Sequence, residues 1–369
     1  MQIRRYTHDD RNAWDSFVRQ SKNGTFLFER AYMDYHSDRF CDHSLMYSDE
    51  KGKLIALLPA NEVVAEKEFY SHQGLTYGGF VLHKRVHAEQ VLQLFELTAG
   101  YLARMGFQRW HYKVSPNIYP RLPAQEDEYA LFRMGAELEA CNLSCTLPLN
   151  GCSEMSVTPD LSRRRRFRDG QMNGMQLLVG GKDMPAEDVL RRFWPIMEQN
   201  MMERFGAKPV HTLEEMLSLQ RSFPDQIRCY LVTVPGENGA ERIDVAGENG
   251  AERIDVAGGN GADRIDVAGG NGAERIDVAG EVLFVSQQVA HAQYGHASAL
   301  GRQLGALDFL YLSLIDHFRN NQPQFEYFDF GTSNEQSGRI LNTTLIAQKE
   351  GFGARGIACK TYVLKMSRN

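Results

Sequence analysis

The sequence lacks the features that mark secreted, membrane-spanning and zinc-binding proteins. Its 369 residues include six cysteines and no CxxC pair, so we expect neither a disulfide framework nor a structural metal site. No run of about 18 apolar residues occurs, and this argues against a membrane helix. Residues 1–17, MQIRRYTHDDRNAWDSF, contain no apolar stretch typical of a signal peptide. We therefore expect a cytoplasmic protein with free thiols.

Several short catalytic motifs are also missing. The sequence contains no P-loop, no nucleophile elbow, no HExxH motif and no complete Rossmann fingerprint. These absences favour direct group transfer without a covalent enzyme intermediate, and no metal is expected. The hydrophobic content of 43% and the length predict a globular protein with two domains.

Negative charge is in excess only because of an internal repeat. Four consecutive eleven-residue copies occupy residues 236–279 and differ only at their second and sixth positions, which indicates tandem duplication. The copies carry ten acidic residues and four arginines, so they account for the whole net charge of −6. Outside the repeat, acidic and basic residues balance. This argues against a general nucleic-acid or membrane-surface binder, although it is compatible with a local basic patch.

The repeat has two interpretations. Residues 258–266, GGNGADRID, fit the GGxGxDxUx nonapeptide of calcium-binding β-rolls, but the other copies fit incompletely and the period is eleven instead of nine. The other interpretation is a lengthened loop, since closure entropy grows slowly with loop length. The flanking runs QIRCYLVTV and EVLFV predict paired antiparallel strands, which favours an enlarged hairpin connection.

The order of predicted elements is similar in two units. In residues 1–155 we predict a helix, paired strands, the helix HAEQVLQLFELTAGYLARMG ending at Gly106, and the strand QRWHYKV. A linker containing Pro148 and Pro159 follows. In residues 156–369 the predicted helices and strands resume with the basic helix LSRRRRFRDGQMNG.

The second unit continues with a strand, two helices and the strands on either side of the repeat. Thr212 and Glu215 have the spacing of a capping box at the start of the second of these helices. The helix LGALDFLYLSLIDHFRN, the strand FEYFDFG, the helix RILNTTLIAQKEGFG and the strand KTYVLKM complete it. This order predicts an α/β (α+β) fold of mixed sheets flanked by helices.

Four segments carry a resemblance to a known family. KPVHTLEEM, VAHAQY, LGRQLGALDFLYLSLI and FDFGTSNEQSGRILNTTLIAQKEGFGARG resemble FemAB-like and BioF2-like acyltransferases of the GNAT fold. The resemblance covers nearly the whole chain outside the repeat and implies a tandem duplicated GNAT-like fold. It implies transfer of an acyl or aminoacyl group onto an amine of a cell-envelope or polysaccharide precursor. The implied donor is acetyl-CoA or another acyl-CoA, or alternatively an aminoacyl-tRNA.

The two donors point to different residues. In CoA-dependent relatives, a Q/R-x-x-G-x-G/A turn holds the pyrophosphate on backbone N–H groups. Gly301, Arg302 and Gly305 are the corresponding candidates here, but Leu307 replaces the last small residue. A tRNA donor needs cations for its phosphates, and the alternative for the basic segment SRRRRFR is a solvated helix face. The arginines of that segment are Arg163, Arg164, Arg165, Arg166 and Arg168.

Four residues are candidates for catalysis. His291 is the predicted general base, and Tyr294 the predicted hydrogen-bond donor to a leaving group or oxyanion. Strict strand alternation places these two on opposite faces, so a β-bulge is required to bring them together. Lys349 is a further candidate because of the resemblance, and Glu335 is one because it lies in the polar loop that follows the strand FEYFDFG. For His291 the alternative is a structural histidine.

Substrate-binding candidates lie in two places. Asp329 lies near the end of the strand FEYFDFG, and Ser333 and Asn334 follow it. Ligand-binding groups collect at this place in α/β sheets, and the alternative is turn chemistry. Tyr32 and Tyr35 are candidates for the floor of an acceptor groove between the units, and the alternative is core packing. The glycine-rich loop SHQGLTYGG, residues 71–79, has the same two interpretations. His211 is predicted to be structural.

Two other functions stay open at this point. A catalytically inactive GNAT-like binding module is compatible with the incomplete phosphate turn. A calcium-binding repeat scaffold is compatible with the nonapeptide match. The sequence predicts no oligomeric state.

Overall fold

A computed structural model describes residues 1–150, 158–236, 244–247, 250–253 and 275–366. The predicted unit boundary at residue 155 and the nonapeptide at residues 258–266 therefore lie outside the described residues. The five cysteines in the described part of the chain are free thiols. Within the same residues, none of the helices has the length and apolar character needed to cross a bilayer.

Most of the helices that the structure describes lie where the sequence predicts a helix, whereas Arg30–Met33, Glu126–Arg133 and Ala299–Leu304 were not predicted. The described helices are α1 (Arg11–Gln20), α2 (Arg30–Met33), α3 (Ala88–Arg104), α4 (Glu126–Arg133), α5 (Leu161–Met172), α6 (Ala186–Phe205), α7 (Leu213–Ser222), α8 (Ala299–Leu304), α9 (Ala306–Asn321) and α10 (Thr343–Glu350). The predicted capping box of α7 is confirmed, because the Thr212 hydroxyl accepts a hydrogen bond from the Glu215 N–H. The prediction for the last helix began too early, since α10 starts at Thr343 after a turn and a short strand.

About half of the strands were expected from the sequence. The described strands are β1 (Gln2–Arg5), β2 (Cys41–Asp42), β3 (Leu45–Ser48), β4 (Leu54–Leu58), β5 (Asn61–Val63), β6 (Glu68–Tyr70), β7 (Val81–Leu82), β8 (Arg109–Lys113), β9 (Glu137–Pro148), β10 (Gln176–Val179), β11 (Ile227–Pro235), β12 (Asp244–Gly247), β13 (Gly250–Arg253), β14 (Arg275–Val285), β15 (Val289–Ala297), β16 (Tyr327–Thr332), β17 (Asn334–Glu335), β18 (Ile340–Leu341) and β19 (Arg355–Lys365). The long strand β9 was not predicted, and Pro148 is its last residue.

One large mixed sheet runs through both halves of the chain. Its order is β10-β11-β14-β15-β16-β9-β19-β8-β6-β5-β2, and a second sheet has the order β1-β3-β4-β7. The last strand, β19, pairs with β9 on one side and with β8 on the other. The predicted mixed sheets flanked by helices are confirmed, and the two halves share a continuous hydrogen-bonded sheet.

Two strand pairs in this sheet are parallel, and both are short. In the C-terminal half, β15 pairs with β16 only over residues 289–291 and 327–329. In the N-terminal half, β6 pairs with β8 only over residues 68–70 and 109–111. Beyond each paired segment, no further ladder pairing joins the two strands.

An aromatic cluster joins the halves. Phe26 from the N-terminal half lies 5.2 Å from Phe223 and 5.6 Å from Phe284, measured between ring centroids. Tyr32 packs against all three rings. Because these side chains are buried, their apolar area holds the two halves together.

The strands that flank the repeat pair as predicted. β11 and β14 are antiparallel from Ile227 opposite Phe284 to Pro235 opposite Arg275. β14 begins inside the last copy, so RIDVA at residues 275–279 belongs to the sheet. The described part of the other copies contains β12 and β13, which pair antiparallel, whereas the coils of a β-roll stack in parallel.

Candidate active site

A β-bulge on β15 aligns the two principal catalytic candidates. Val282 of β14 lies opposite Tyr294, and Leu283 lies opposite Ala292, so Gln293 is the extra residue. The bulge changes the alternation and places His291 and Tyr294 on the same face of the strand. The β-bulge that His291 and Tyr294 need in order to face the same side is therefore present.

His291 is held by a buried carboxylate. Its Nδ1 lies 2.9 Å from Asp329 Oδ2, on the neighbouring strand β16. The Tyr119 hydroxyl donates to the same oxygen at 2.9 Å, and the Ser144 hydroxyl donates to Asp329 Oδ1 at 2.5 Å. The Thr146 hydroxyl adds a further hydrogen bond to Oδ1 at 3.2 Å. Four side chains from three parts of the chain thus converge on one carboxylate.

These contacts determine which nitrogen of His291 carries a proton. Burial would raise the pKa of Asp329, but hydrogen bonds from His291, Ser144 and Tyr119 lower it to about 2. The carboxylate is therefore ionised at neutral pH and only accepts hydrogen bonds. His291 must donate its Nδ1–H to Asp329, and the lone pair of Nε2 is left as a base when the ring is neutral. This is the arrangement that orients a general-base histidine.

Tyr294 belongs to a second hydrogen-bonded chain. The His211 Nδ1 lies 2.5 Å from the Tyr294 hydroxyl, and the His211 Nε2 lies 2.8 Å from the Tyr35 hydroxyl. Burial lowers the pKa of His211 to about 4, so its ring is neutral at pH 7. Burial also raises the pKa of Tyr294 to about 12. His211 thus links a tyrosine of each half, whereas the predicted groove residue Tyr32 is buried in the aromatic cluster.

Lys349 contacts β16 beyond its paired segment with β15. Its ammonium donates to the carbonyls of Gly331 at 2.9 Å and Thr332 at 2.8 Å, both beyond the paired segment. Burial lowers the pKa of Lys349 to about 8. Because at most two of its three N–H donors serve these carbonyls, one remains for another acceptor.

A buried acid, Glu281, lies on the adjacent strand. Its carboxyl accepts a hydrogen bond from the Tyr311 hydroxyl at 2.9 Å and from the N–H of Tyr294, next to the bulge, at 3.2 Å. Burial raises the pKa of Glu281 to about 8, so the carboxyl is mostly protonated at neutral pH. Glu281 therefore fixes the bulge without adding a charge.

The candidate phosphate turn is a helix-glycine-helix segment. Gly301 and Arg302 lie within α8, and Gly305 joins α8 to α9 with a left-handed φ of 71°. A Cβ at Gly301 would lie 2.0 Å from the Val278 carbonyl, so the glycine permits close packing on β14. The Arg302 guanidinium donates to the Ala297 carbonyl at 3.1 Å.

The first turn of α9 already holds a carboxylate. Asp308 is buried and accepts hydrogen bonds from Arg163 at 2.5 Å and Arg166 at 3.2 Å. Arg164, Arg165 and Arg168 are exposed on α5. The basic segment is thus divided between an internal ion-pair network and a cationic surface.

The remaining candidates lie around the turn that follows β16. Ser333 is fully buried, and its hydroxyl has no hydrogen-bond partner in the described part of the chain. The Asn334 side-chain oxygen accepts the Leu143 N–H at 2.5 Å and so supports β9. Glu335 is exposed in the β17–β18 hairpin. The described contacts bring together His291 with Asp329, but they do not join Glu335 to either.

Sequence reasoning missed Tyr119, Ser144 and Glu281. Tyr119 lies outside any predicted element, and Ser144 lies on the unpredicted strand β9. Glu281 did leave a signal, because it is the acidic residue at the start of the apolar run EVLFV. A charged residue in a buried strand needs partners, and this makes it a candidate for a special role.

Comparison with known proteins adds to this geometry. No family model and no curated protein matches the sequence. Among solved structures, FemX is 11% identical, covers 99% of this chain and 97% of its own, and superposes with a TM-score of 0.63. L-PGS from Bacillus licheniformis is 10% identical over 97% of this chain and 92% of its own, with a TM-score of 0.55.

A tandem GNAT protein from the clavulanic acid biosynthesis pathway, solved without AcCoA, is 11% identical. It covers 100% of this chain and 99% of its own, with a TM-score of 0.50. At these identities the likeness concerns the fold. The chain therefore has a tandem GNAT-like fold similar to that of FemX, and the resemblance to FemAB-like proteins of the GNAT fold is confirmed.

Proposed function

We propose that the chain is an N-acyltransferase that moves an aminoacyl group from an activated ester onto a primary amine of a cell-envelope or polysaccharide precursor. The observation that carries the proposal is the ionised, buried Asp329 that fixes His291 with its Nε2 lone pair free. Oriented bases of this kind contribute about 10²–10⁴ to rates of proton transfer. The similarity to FemX and L-PGS supports the choice of acyl transfer.

The proposed step begins when the acceptor amine attacks the carbonyl carbon of the donor ester. A C–N bond forms, and His291 Nε2 takes the proton that the nitrogen loses. The C–O bond of the ester then breaks, and the imidazolium returns the proton to the leaving oxygen. No oxidant, reductant or covalent enzyme intermediate is needed.

Tyr294 is the proposed donor to the oxyanion. If Tyr35 donates to His211 Nε2, the His211 Nδ1–H donates to the Tyr294 oxygen, and the Tyr294 O–H remains free for substrate. The neutral state of His211 is what permits this order. The spare N–H of Lys349 is a second donor in the same half, and such donors stabilise charge that develops in the transition state.

An aminoacyl-tRNA donor is favoured over acyl-CoA. The carboxylate of Asp308 occupies the first turn of α9, where a helix N-terminus would otherwise favour a pyrophosphate. The exposed Arg164, Arg165 and Arg168 supply cations for RNA phosphates. The acceptor groove is proposed to lie near Tyr35, Asp329, Ser333 and Asn334.

The general-base role is tested with His291→Gln. We expect kcat for amide formation from aminoacyl-tRNA and a lysine-containing peptide to fall by about 10² or more, with the fold unchanged by circular dichroism. His8→Gln is the matched control, because His8 is exposed on a surface turn. An unchanged rate in His291→Gln would contradict the proposed mechanism.

The donor is tested separately by titration. We expect the binding constant of charged tRNA to fall as the salt concentration rises. In a plot of the logarithm of the binding constant against the logarithm of the salt concentration, the slope should become shallower by about 0.7–0.9 for each phosphate that a variant no longer neutralises. The test variant replaces Arg164, Arg165 and Arg168 with alanine, and the control replaces the exposed Arg85, Arg104 and Arg133. Saturable acetyl-CoA binding with no tRNA binding would assign an acyl-CoA donor instead. Binding of donor and acceptor with no turnover would identify a binding module.

A further inference from the structure

The N-terminal half has its own parallel strand pair, with a pocket beside it. After the three paired residues of β6 and β8, the Ser71 N–H still donates to the His111 carbonyl at 2.9 Å. The chain then leaves β8 as the glycine-rich loop. A pocket of about 180 Å³ lies there, beside the parallel pair of β6 and β8. Its lining includes Tyr70, Ser71, His72, His111 and Lys113.

Lys113 is a half-buried cation without a counter-ion among the described residues. Its ammonium donates to the Leu75 carbonyl at 2.6 Å and forms no ion pair with any residue that the structure describes. Lys22 and Lys360, by contrast, each contact a glutamate, at 2.6 Å and 2.5 Å. Burial alone lowers the pKa of Lys113 to about 8. An ammonium placed this way is costly to the fold, and it has N–H donors left for an anion.

His72 supplies a second unpaired polar group. Its side chain is 3% exposed, and its Nδ1 has no hydrogen-bond partner among the described residues. Its φ of 65° is left-handed, a conformation that is strained for a residue other than glycine. The ring stacks on His36 with centroids 5.1 Å apart. A strained, buried and unpaired histidine is more easily explained by a ligand than by packing.

The pocket adjoins an open cleft. Tyr70 and His111, stacked 4.3 Å apart, line both spaces, and the cleft of about 680 Å³ continues to Arg339. Gln336 and Ser337 line this cleft and have φ angles of 49° and 55°. Three of the four non-glycine residues with left-handed φ in the described chain therefore border these two spaces. The cleft gives a ligand a route from solvent to Lys113.

We propose that this pocket binds the carboxylate or phosphate group of a small ligand. Lys113 neutralises the charge of the bound group, and His72 contributes a hydrogen bond from its unpaired ring nitrogen. The stacked Tyr70 and His111 rings border the path by which the rest of the ligand reaches the cleft. The site is separate from the His291 site and does not depend on the transfer reaction.

Thermal unfolding of the full chain tests the proposal. Sodium phosphate and sodium acetate are compared with sodium chloride at equal ionic strength. We expect a saturable rise in Tm with phosphate, acetate or both, since a ligand that binds only the folded state stabilises it. Phosphate alone would identify a phosphate ester as the ligand class, and acetate alone a carboxylate.

A test variant, two controls and a substitute test variant make the experiment specific. Lys113→Met should unfold at a higher Tm than the wild type without ligand, because a half-buried unpaired charge is removed, and it should lose the anion response. Lys53→Met, at an exposed lysine, should keep that response, and so should His291→Gln. If Lys113→Met fails to fold, His72→Gln replaces it and should weaken anion binding at least tenfold. An equal response to all three salts, or a Lys113→Met variant with the wild-type response, would overturn the proposal.

Discussion

Replacing Asp329 with asparagine tests both the stability and the chemistry of the His291 cluster. The pKa of Asp329 is about 2 in the fold, against an ordinary value of 3.8. At about 1.36 kcal/mol for each pKa unit, the ionised carboxylate contributes about 2.5 kcal/mol at neutral pH. Since the pKa in the fold is lowered, this stability is present above about pH 4 and is lost as the pH falls towards 2.

The measurement is a series of urea unfolding curves between pH 7 and pH 3. We expect Asp329→Asn to be less stable than the wild type by about 2–3 kcal/mol at pH 7, and the difference to begin to shrink below pH 4. Turnover should fall by about 10²–10⁴, because the asparagine amide no longer requires the His291 Nδ1–H tautomer. A stability difference that stays constant with pH, together with full activity, would refute the reasoning.

Three further changes have defined outcomes. Burial raises the pKa of Glu281 to about 8. As the pH rises from 4.5 to 8, the wild type should therefore lose stability relative to Glu281→Gln, and urea titrations at several pH values would measure this loss. Gly295→Ala should destabilise the fold by about 1–3 kcal/mol in thermal unfolding, since its Cβ would lie 2.1 Å from the Tyr311 hydroxyl. Deleting residues 247–268 should change the free energy of unfolding by less than about 1 kcal/mol, with no dependence on calcium; a large calcium-dependent loss would instead support the scaffold alternative.

Local patterns predicted most helices and about half of the strands, but they did not reveal how the halves join. The stripe of α3 and the capping box of α7 depend on residues three or four apart, and such signals can be read directly. β9 depends on partners about 180 to 230 residues further along the chain. Its sequence mixes charged, polar and apolar residues, because one end is exposed and the other buried. Only tertiary contacts distinguish it from a linker that ends in Pro148.

Sequence patterns named individual residues of the candidate site but not the contacts between them, because those contacts join distant parts of the chain. His291, Asp329 and Tyr294 were each named, yet the sequence did not predict the pairing of the first two. That pairing needs the parallel register of β15 and β16, which places His291 directly opposite Asp329. The bulge at Gln293 was stated as a condition and could not be located, because no glycine or proline marks it. Tyr119 reaches the carboxylate from the other half of the chain.

The anion pocket at Lys113 and the His291 cluster should behave as independent parts of one sheet. Lys113 lies on β8 and Asp329 on β16, and two strands, β9 and β19, separate them. Three steps of about 4.8 Å place the two strands roughly 14 Å apart, beyond the distance at which substitutions usually couple. The effects of Lys113→Met and Asp329→Asn on the free energy of unfolding should therefore add within about 0.5 kcal/mol in the double variant. A larger coupling, measured by urea unfolding of the four proteins in the cycle, would mean that β9 and β19 transmit strain between the halves, and the anion pocket would then be an effector site for the His291 cluster.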